Sequence, residues 1–425
     1  MSGPSPEKTD PVRLIRRRSK AASGQRRFGW GSAGCFILLL VGLKVSAGHV
    51  LQVSGWHVRS NENAGLMEAN AWRNGRMDLS HRVRDTALYR DKVYNVYPPL
   101  FTFISYAATT LGAKQGMPEG EFFRAWYVAL MVLPLPIVGF WAFQQVLGRP
   151  VWSAVLTGYW LIGTPMLPVL SACWTGSINH TNHILASVGL MLIGGDLLGR
   201  RRMWIAAIGL VIGVWTRQLT VAYGLAALWM AWTATERRGW KVGVVLLGLG
   251  LSVGTLLVLN RLKFDSPFES GYALIYEGRD ADVIYAAPAR EYGLFHPHFL
   301  GRNAWYMNLA PPRFRDSPAF IQQANDSNGV SIWITSPLLL AGFFGVRHWW
   351  RDRASRVLMA ASLCVIAATL MYHNVGTVQV GFFRFALDFV PIWLLVAAPW
   401  AVVGWRRPAI LGCLAWSALY FNMLA

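Results

Sequence analysis

The stretch WKVGVVLLGLGLSVGTLLVLNR, residues 240–261, decides the fold class of this chain. Lys241 and Arg261 lie near its two ends, and the residues between them carry no charge. A helix over this stretch covers about 33 Å at about 1.5 Å per residue, which is enough to cross the ~30 Å hydrocarbon core of a bilayer. We therefore predict a membrane-spanning helix here.

Similar apolar runs recur along the chain, and charged residues make up only 14% of it, against about a quarter in a soluble protein. This pattern predicts an all-α, polytopic integral membrane protein with about eleven transmembrane helices, because helices satisfy their own backbone hydrogen bonds in lipid. The other predicted spans are residues 31–51, 122–146, 151–171, 178–198, 203–216, 218–233, 331–348, 355–373, 381–403 and 407–424. A cleaved signal peptide is the alternative interpretation of the first run, with SAG at 46–48 as its cleavage site.

The formal net charge is +19, and the Lys and Arg residues form short clusters between the apolar runs. This distribution is typical of the positive-inside rule and argues against a nucleic-acid partner. The clusters are RLIRRRSK (13–20), LGRR (198–201), ERR (236–238), RHWWRDR (347–353) and WRR (405–407). We expect residues 1–30 to be a disordered, basic, cytosolic tail, and residues 31–425 to form one transmembrane domain in the plasma membrane.

The apolar run PPLFTFISYAATTLG, residues 98–112, determines the predicted topology. A helix over it covers about 22 Å, which is short of the hydrocarbon core. If this helix lies flat or re-enters the membrane, the four internal basic clusters all face the cytosol with the N-terminal tail, whereas a spanning helix would place them outside. We therefore predict that it does not span. The result is two large outer loops, about 52–121 and 263–330, which carry interfacial helices.

We expect the catalytic carboxylates to lie in the first outer loop. A carboxylate within hydrogen-bond reach of a hydroxyl can take up its proton as a general base. Glu62 and Glu68 are the first candidates, and Asp78 and Asp85 are the next. His180 and His183 have the spacing of a metal-binding pair, but the sequence offers no clear third ligand. A polar helix start at an outer vestibule is the favoured interpretation of this stretch, and we expect no metal and no cofactor.

Two arginines lie inside apolar sequence. Arg217 falls between two short runs in GVWTRQLTVAYG (213–224), and a cation in such a place needs an anion opposite it. That anion is either a substrate or a carboxylate of the protein. Arg384 in GFFRFALDFVP (381–391) is placed similarly, with Asp388 one helical turn away as a candidate partner.

The order of these elements resembles the GT-C class of membrane glycosyltransferases, such as the protein O-mannosyltransferases and the aminoarabinose transferases that modify lipid A. In that family a first span leads into an outer loop with an acidic pair, a small-residue turn and an aromatic, Pro-Pro helix start. The corresponding sequences here are NEN (61–63), NGRMDL (74–79) and VYPPL (96–100). Thr216–Arg217 corresponds to the family's Thr-Lys, and Arg384–Phe385 with Pro391 corresponds to its late Arg-Tyr and Pro.

The resemblance implies a polyprenyl-phosphate-linked sugar as donor and transfer to a lipid, glycan or protein acceptor on the outer face of the membrane. It implies that Glu62 or Glu68 is the catalytic base and that Arg217 and Arg384 hold the donor phosphate. The remaining candidate substrate-binding residues are Asp78, Lys92 and Tyr97. Asn61 replaces the family's usual Asp, and Tyr97 replaces its Lys, so Lys92 or Arg217 would have to supply the missing phosphate contact.

Two other function classes are compatible with the sequence. A transporter or flippase of a lipid-linked sugar would have a midplane site and often inverted repeats, and we find no such symmetry. A non-catalytic membrane scaffold is favoured if the replacements at Asn61 and Tyr97 mean that activity has been lost. A groove that joins Glu62 or Glu68 to Arg217 would support the enzyme, whereas a closed central channel would support the transporter.

Overall fold

The computed structural model of the chain describes residues 30–53, 63–83, 85–114, 133–173, 178–276, 283–311, 330–376, 383–404 and 406–424. Within these ranges the protein is helical, which confirms the all-α class, and its regular β-structure is one two-stranded hairpin. Glu62 and all but the last residue of the predicted basic tail lie outside the described residues.

The helices are α1 (Trp30–Val53), α2 (Ala64–Arg73), α3 (Leu100–Lys114), α4 (Pro134–Leu147), α5 (Pro150–Ile162), α6 (Met166–Cys173), α7 (Ile178–Leu198), α8 (Trp204–Val214), α9 (Val221–Trp232), α10 (Arg238–Phe264), α11 (Val283–Tyr292), α12 (Leu300–Asn308), α13 (Arg353–Leu370), α14 (Val390–Ala401) and α15 (Arg406–Leu424). Strands β1 (Thr86–Tyr89) and β2 (Lys92–Asn95) pair antiparallel. Shorter helical segments are Gln218–Thr220, Ala273–Tyr276, Pro297–Phe299, Ile332–Thr335, Pro337–Leu340, Ala341–Phe344, Val346–Trp349 and Arg384–Asp388.

Three of the described helices, α7, α10 and α13, are long and apolar enough to cross a membrane. The number of spans remains a prediction, because the other helices are shorter or less apolar. Among the three, α7 is the central helix, since 89% of its apolar window is buried. In α10 that share is only 17%, and leucines such as Leu247 project outward, as lipid contact requires.

Several predicted spans are not continuous helices, and these predictions are wrong in that respect. The run 151–171 breaks between α5 and α6 at Gly163–Pro165, and the run 331–348 divides into short segments, one of which begins at Pro337. In the described part of the run 381–403, a 3₁₀ turn precedes α14, which has Pro391 in its first turn. Proline lacks a backbone N–H and clashes with the preceding helical turn, so these sequences interrupt or restart their helices.

The loops at one end of the molecule bring the internal basic clusters together, and we call it the basic end. Here Arg201 lies 3.8 Å from Asp352, and Arg353 lies over the ring of Trp229 at the end of α9. The α4–α5 connection reaches the same end, because the Arg149 side chain donates to the Val402 carbonyl. The basic clusters between the predicted spans therefore lie on one side, as the predicted topology requires.

The opposite end carries α2, the hairpin, the start of α3 and the break at Arg217, and we call it the polar end. The helix α7 connects the two ends: Asn179 in its first turn contacts Asp85, and Leu198 ends it at the basic clusters. Its 21 residues cover about 30 Å. In the same way, α10 runs from Arg238 at the basic end to Lys263 at the polar end.

Candidate functional site

Glu68, on α2, belongs to a buried cluster that fixes the first outer loop to the end of α10. The Lys263 Nζ lies 2.5 Å from Glu68 Oε1, while Asn95 Nδ2 and Thr102 Oγ1 donate to Oε2 at 2.7 and 2.6 Å. The side chain of Glu68 is fully buried and that of Lys263 is 5% exposed. Because both carboxylate oxygens are occupied, the geometry favours a structural role for Glu68.

Asp85 lies in the turn before β1 and faces the first turn of α7. Tyr97 Oη donates to Asp85 Oδ2 at 2.9 Å, and Asn179 Nδ2 donates to the same oxygen at 3.0 Å. Asp85 Oδ1 accepts no hydrogen bond from the described residues. Asp85 also has a φ of 57°, a left-handed conformation that is uncommon outside glycine and recurs at functional sites.

Tyr97, a candidate substrate-binding residue, is the partner that orients Asp85. Burial, followed by the nearby Asp85 carboxylate, raises the pKa of Tyr97 well above its usual value. The phenol therefore stays neutral and donates its proton to the Asp85 oxygen. The ring of Tyr272 packs edge-on against Tyr97, with 6.3 Å between the ring centroids, and forms one wall of the site.

Arg217 lies where the chain is extended between α8 and the 3₁₀ turn before α9, with φ −142° and ψ 104°. Its Nε and Nη2 donate to Asp388 Oδ2 at 3.0 and 2.8 Å. The Asp388 side chain is fully buried, whereas 23% of the Arg217 side chain is exposed. His183 Nδ1 lies 3.3 Å from the other oxygen of Asp388.

The carboxylate of Asp388 therefore lies opposite Arg217, and the contacts of the described residues do not pair Asp388 with Arg384, for which it was a candidate partner. The prediction that two short helices meet near Arg217 is confirmed by α8 and α9. Arg217 uses two of its nitrogens on Asp388, and its Nη1 makes no hydrogen bond within the described residues. One edge of the guanidinium is thus left for another anion.

Arg384 joins the same group from the 3₁₀ turn before α14. Its guanidinium lies 5.4 Å from the ring centroid of Phe385, and that of Arg217 lies 5.0 Å from the same ring. Arg384 is close enough to interact electrostatically with Tyr97, Arg217 and Asp85. The structure therefore brings together three of the predicted residues, Tyr97, Arg217 and Arg384.

Asp78 and Lys92 lie elsewhere in the first loop. Asp78 interacts with Tyr94, whose ring packs on Phe264 at the end of α10. Lys92 is exposed on β2, where it pairs with Tyr89 across the hairpin. None of the contacts of the described residues joins either side chain to Asp85 or the two arginines.

Asn182 is a polar residue of α7 that sequence reasoning did not single out. Its side chain is 2% exposed, and neither amide atom has a hydrogen-bond partner among the described residues. It lies one turn beyond Asn179, the partner of Asp85, and next to His183, the partner of Asp388. Buried amides are almost always paired, so an unpaired one beside this cluster indicates a place for a polar ligand.

The sequence analysis missed Asn179, Asn182 and Tyr272, placed Asp85 behind Glu62 and Glu68 as a candidate base, and did not pair Asp388 with Arg217. The spacing of Asn179, Asn182 and His183 was a usable signal, because residues three and four apart share a helix face. Together these groups place a carboxylate, two guanidinium groups and neutral hydrogen-bond donors around one site. Such a set can deprotonate a hydroxyl and stabilise a phosphate.

Comparison with known proteins gives no relative on which to test this site. The chain matches no family model, no curated protein and no solved structure.

Proposed function

We propose that this protein is a membrane glycosyltransferase of the GT-C type. It moves a sugar from a polyprenyl-phosphate donor to a lipid, glycan or protein acceptor on the outer face of the plasma membrane. The observation that carries the proposal is the grouping of Asp85 with Arg217 and Arg384 at the end of the molecule opposite the basic loops.

In this proposal Asp85, rather than Glu68, is the catalytic base. The acceptor hydroxyl attacks the anomeric carbon of the sugar, and its proton passes to Asp85 Oδ1. The bond between the anomeric carbon and the phosphate oxygen breaks, and the electron pair leaves with the polyprenyl phosphate. Tyr97 and Asn179 hold the other oxygen of Asp85, which fixes the direction in which the free oxygen points. Glu62 remains a second candidate for this role.

The two arginines stabilise the negative charge that develops on the leaving phosphate. A guanidinium presents a planar fork of donors that matches phosphate in two places. Asp388 fixes the orientation of Arg217 by a fork of two hydrogen bonds, so the free edge of Arg217 is held in place before the donor binds. Preorganised donors of this kind contribute a large share of catalysis in acyl and phosphoryl chemistry.

The direct test is donor-dependent transfer by the purified full chain in detergent or liposomes. The donors are polyprenyl-phosphate-linked hexoses and pentoses with a radiolabelled sugar, and envelope glycans from a deletion strain identify the acceptor class by mass spectrometry. The wild type should release polyprenyl phosphate and label an acceptor. Asp85→Asn should lower turnover about a hundredfold or more, the usual contribution of a general base.

The side-chain amide oxygen of the Asp85→Asn variant could still accept both hydrogen bonds, so its melting temperature should stay near that of the wild type. Glu68→Gln is the comparison, because it leaves Lys263 buried without its anion and should lower the melting temperature. Full activity of Asp85→Asn would remove Asp85 as the base. Movement of the labelled lipid across the membrane without cleavage of the sugar–phosphate bond would show that the protein is a transporter and not a transferase.

A further inference from the structure

The basic end carries a surface that the proposed glycosyl transfer does not use. Trp229 and Trp232, in the last turn of α9, are 51% and 55% exposed. The guanidinium of Arg238 lies 3.8 Å from the ring centroid of Trp232, and that of Arg353 lies 5.6 Å from the ring centroid of Trp229. We call these four residues the Arg–Trp surface.

Three helices form this surface. The two tryptophans are three residues apart on α9 and so share one face of that helix. Arg238 is the first residue of α10, and Arg353 is the first residue of α13. A guanidinium over an indole face is held by the ring while its N–H edge remains able to donate. The two N–H edges therefore border the same pair of exposed rings.

The electrostatic surroundings of the Arg–Trp surface favour an anion. Arg200, Arg237 and Arg351 are further exposed cations in the adjoining loops. Of the nearby carboxylates, Asp352 is engaged by Arg201 and by the backbone N–H of Ser355 at 2.9 Å. Glu236 is exposed beside Arg237, and it does not balance the arginines around it.

The neighbouring parts of the basic end repeat the same pairing. Arg406 lies 4.1 Å from the ring centroid of Trp400, and Arg407 lies 5.8 Å from that of Trp152. Tryptophan prefers the boundary between hydrocarbon and water, where its apolar ring contacts hydrocarbon and its N–H can bind water. Each of these pairs holds a guanidinium that can bind phosphate beside a ring that favours the membrane interface.

We propose that the Arg–Trp surface binds the phosphate head group of an anionic phospholipid in the leaflet at the basic end. The guanidinium edges of Arg238 and Arg353 donate to the phosphate oxygens, and the two indoles contact the glycerol and the upper acyl chains. Anionic lipids of the cytosolic leaflet supply both the charge and the position. The inference depends on a membrane location for the basic end and is independent of glycosyl transfer.

The test uses the purified full chain and phosphatidylglycerol with a photoreactive diazirine in its head group. After illumination, peptide mass spectrometry locates the cross-links. We expect them within residues 229–241 and 350–356, with competition by unlabelled phosphatidylglycerol and none by phosphatidylcholine of the same acyl chains. The double variant Arg238→Gln, Arg353→Gln should weaken cross-linking at these peptides about tenfold or more, since each loses a charge-assisted hydrogen bond.

The matched control is Arg90→Gln with Arg290→Gln, which removes two exposed arginines near the polar end and should leave these cross-links unchanged. Equal competition by phosphatidylcholine, or equal loss in the control, would overturn the proposal. Competition by inorganic phosphate at the same concentration as the lipid would assign a phosphate site in place of a lipid site. Melting temperatures of both double variants confirm that they are folded.

Discussion

At the residue scale, two ion pairs that each join a basic side chain to a fully buried carboxylate have different surroundings. The pair of Glu68 and Lys263 is closed, because Asn95 and Thr102 occupy the remaining acceptor sites of the carboxylate. The pair of Arg217 and Asp388 is open on its cationic side, where 23% of the Arg217 side chain is exposed. A closed pair holds two segments together, whereas an open pair can orient a cation toward a ligand.

The open pair predicts a combined effect of substitution at Arg217. Arg217→Met leaves Asp388 buried without its cation, and breaking such a pair costs about 3–5 kcal/mol. We therefore expect a clearly lower melting temperature, together with loss of donor-dependent transfer. Arg217→Lys keeps the charge but loses the planar fork, so it should retain part of both.

The double variant Arg217→Met, Asp388→Leu separates the two roles of Arg217. Removing both charges should restore much of the stability, because neither partner is left unpaired. Transfer should stay absent if Arg217 also holds the donor phosphate. Recovery of transfer with stability would show that Arg217 serves only the framework, and an unchanged melting temperature of Arg217→Met would show that Asp388 is not its anion.

Substitution of Asn182 should weaken donor binding without lowering the stability of the protein. An unpaired buried amide costs about 1–3 kcal/mol, so Asn182→Leu should keep or raise the melting temperature. If the amide binds a hydroxyl of the sugar, KM for the donor should rise about tenfold with a smaller change in kcat. Ser105→Ala is the control, since Ser105 is also buried and unpaired within the described residues but lies on α3. An unchanged KM in Asn182→Leu would remove Asn182 from the site.

At the element scale, the close contact of α7 and α8 sets the frame on which the site is built. A Cβ atom at Gly189 would lie 2.6 Å from the Gly209 carbonyl oxygen and 2.9 Å from the Gly213 nitrogen. Both neighbours are backbone atoms, which cannot move aside as a side chain can. Small residues at such crossings let membrane helices approach closely. The break at Arg217 follows directly from the end of α8, so this crossing positions the guanidinium.

We expect Gly189→Ala to force α7 and α8 apart and to lower the melting temperature by several degrees, as backbone overpacking costs about 1–3 kcal/mol. Gly250→Ala on α10 is the matched control, because a Cβ atom there would meet nothing within 4 Å. Alanine also favours a helix by about 1 kcal/mol over glycine, so the control should be neutral or stabilising. Equal melting temperatures for the two variants would contradict the close crossing.

The elements differ in how far the local sequence predicts them. The bounds predicted for the span 178–198 coincide with those of α7, because no proline interrupts this segment and most of it is apolar. The hairpin was not predicted from the sequence. Its turn residues Arg90 and Asp91 adopt positive φ values of 48° and 60°, as a tight hairpin turn needs, but they are not the Asn-Gly or Asp-Gly pair that usually signals such a turn. Its Tyr89 and Tyr94 pack on Phe264 of α10, and a contact so distant in sequence is not visible locally.

The site shows the same division between local and distant information. Arg217 and Arg384 could be identified as special because a cation inside apolar sequence is costly. Helical spacing made Asp388 a candidate partner of Arg384, whereas Asp388 pairs with Arg217, 171 residues away. Asp85 and Asn179 likewise meet across 94 residues. The local sequence can therefore indicate which residues belong to a site, but which side chains pair with each other depends on tertiary structure.

At the scale of the whole molecule, the long apolar helices connect two ends of different chemistry. The basic clusters come together at one end, and the carboxylates and arginines of the proposed site lie at the other. The length of α7, about 30 Å, equals the thickness of the hydrocarbon core. With the basic end in the cytosol, as the positive-inside rule predicts, the proposed site faces the outer surface, where a lipid-linked sugar and an envelope acceptor can meet.

This orientation can be measured in intact cells by thiol labelling. The background is a variant in which Cys35, Cys173, Cys364 and Cys413 are replaced by alanine. Arg76→Cys and Gly301→Cys place exposed thiols at the polar end, and Arg200→Cys and Glu236→Cys place them at the basic end. A membrane-impermeant maleimide should label the first two in intact cells and the last two only after permeabilisation. The result depends on α3, because its 15 residues cover about 22 Å and are too short to span. Labelling of Arg200→Cys from outside would mean that α3 does cross the membrane, and the proposed position of the site would then be wrong.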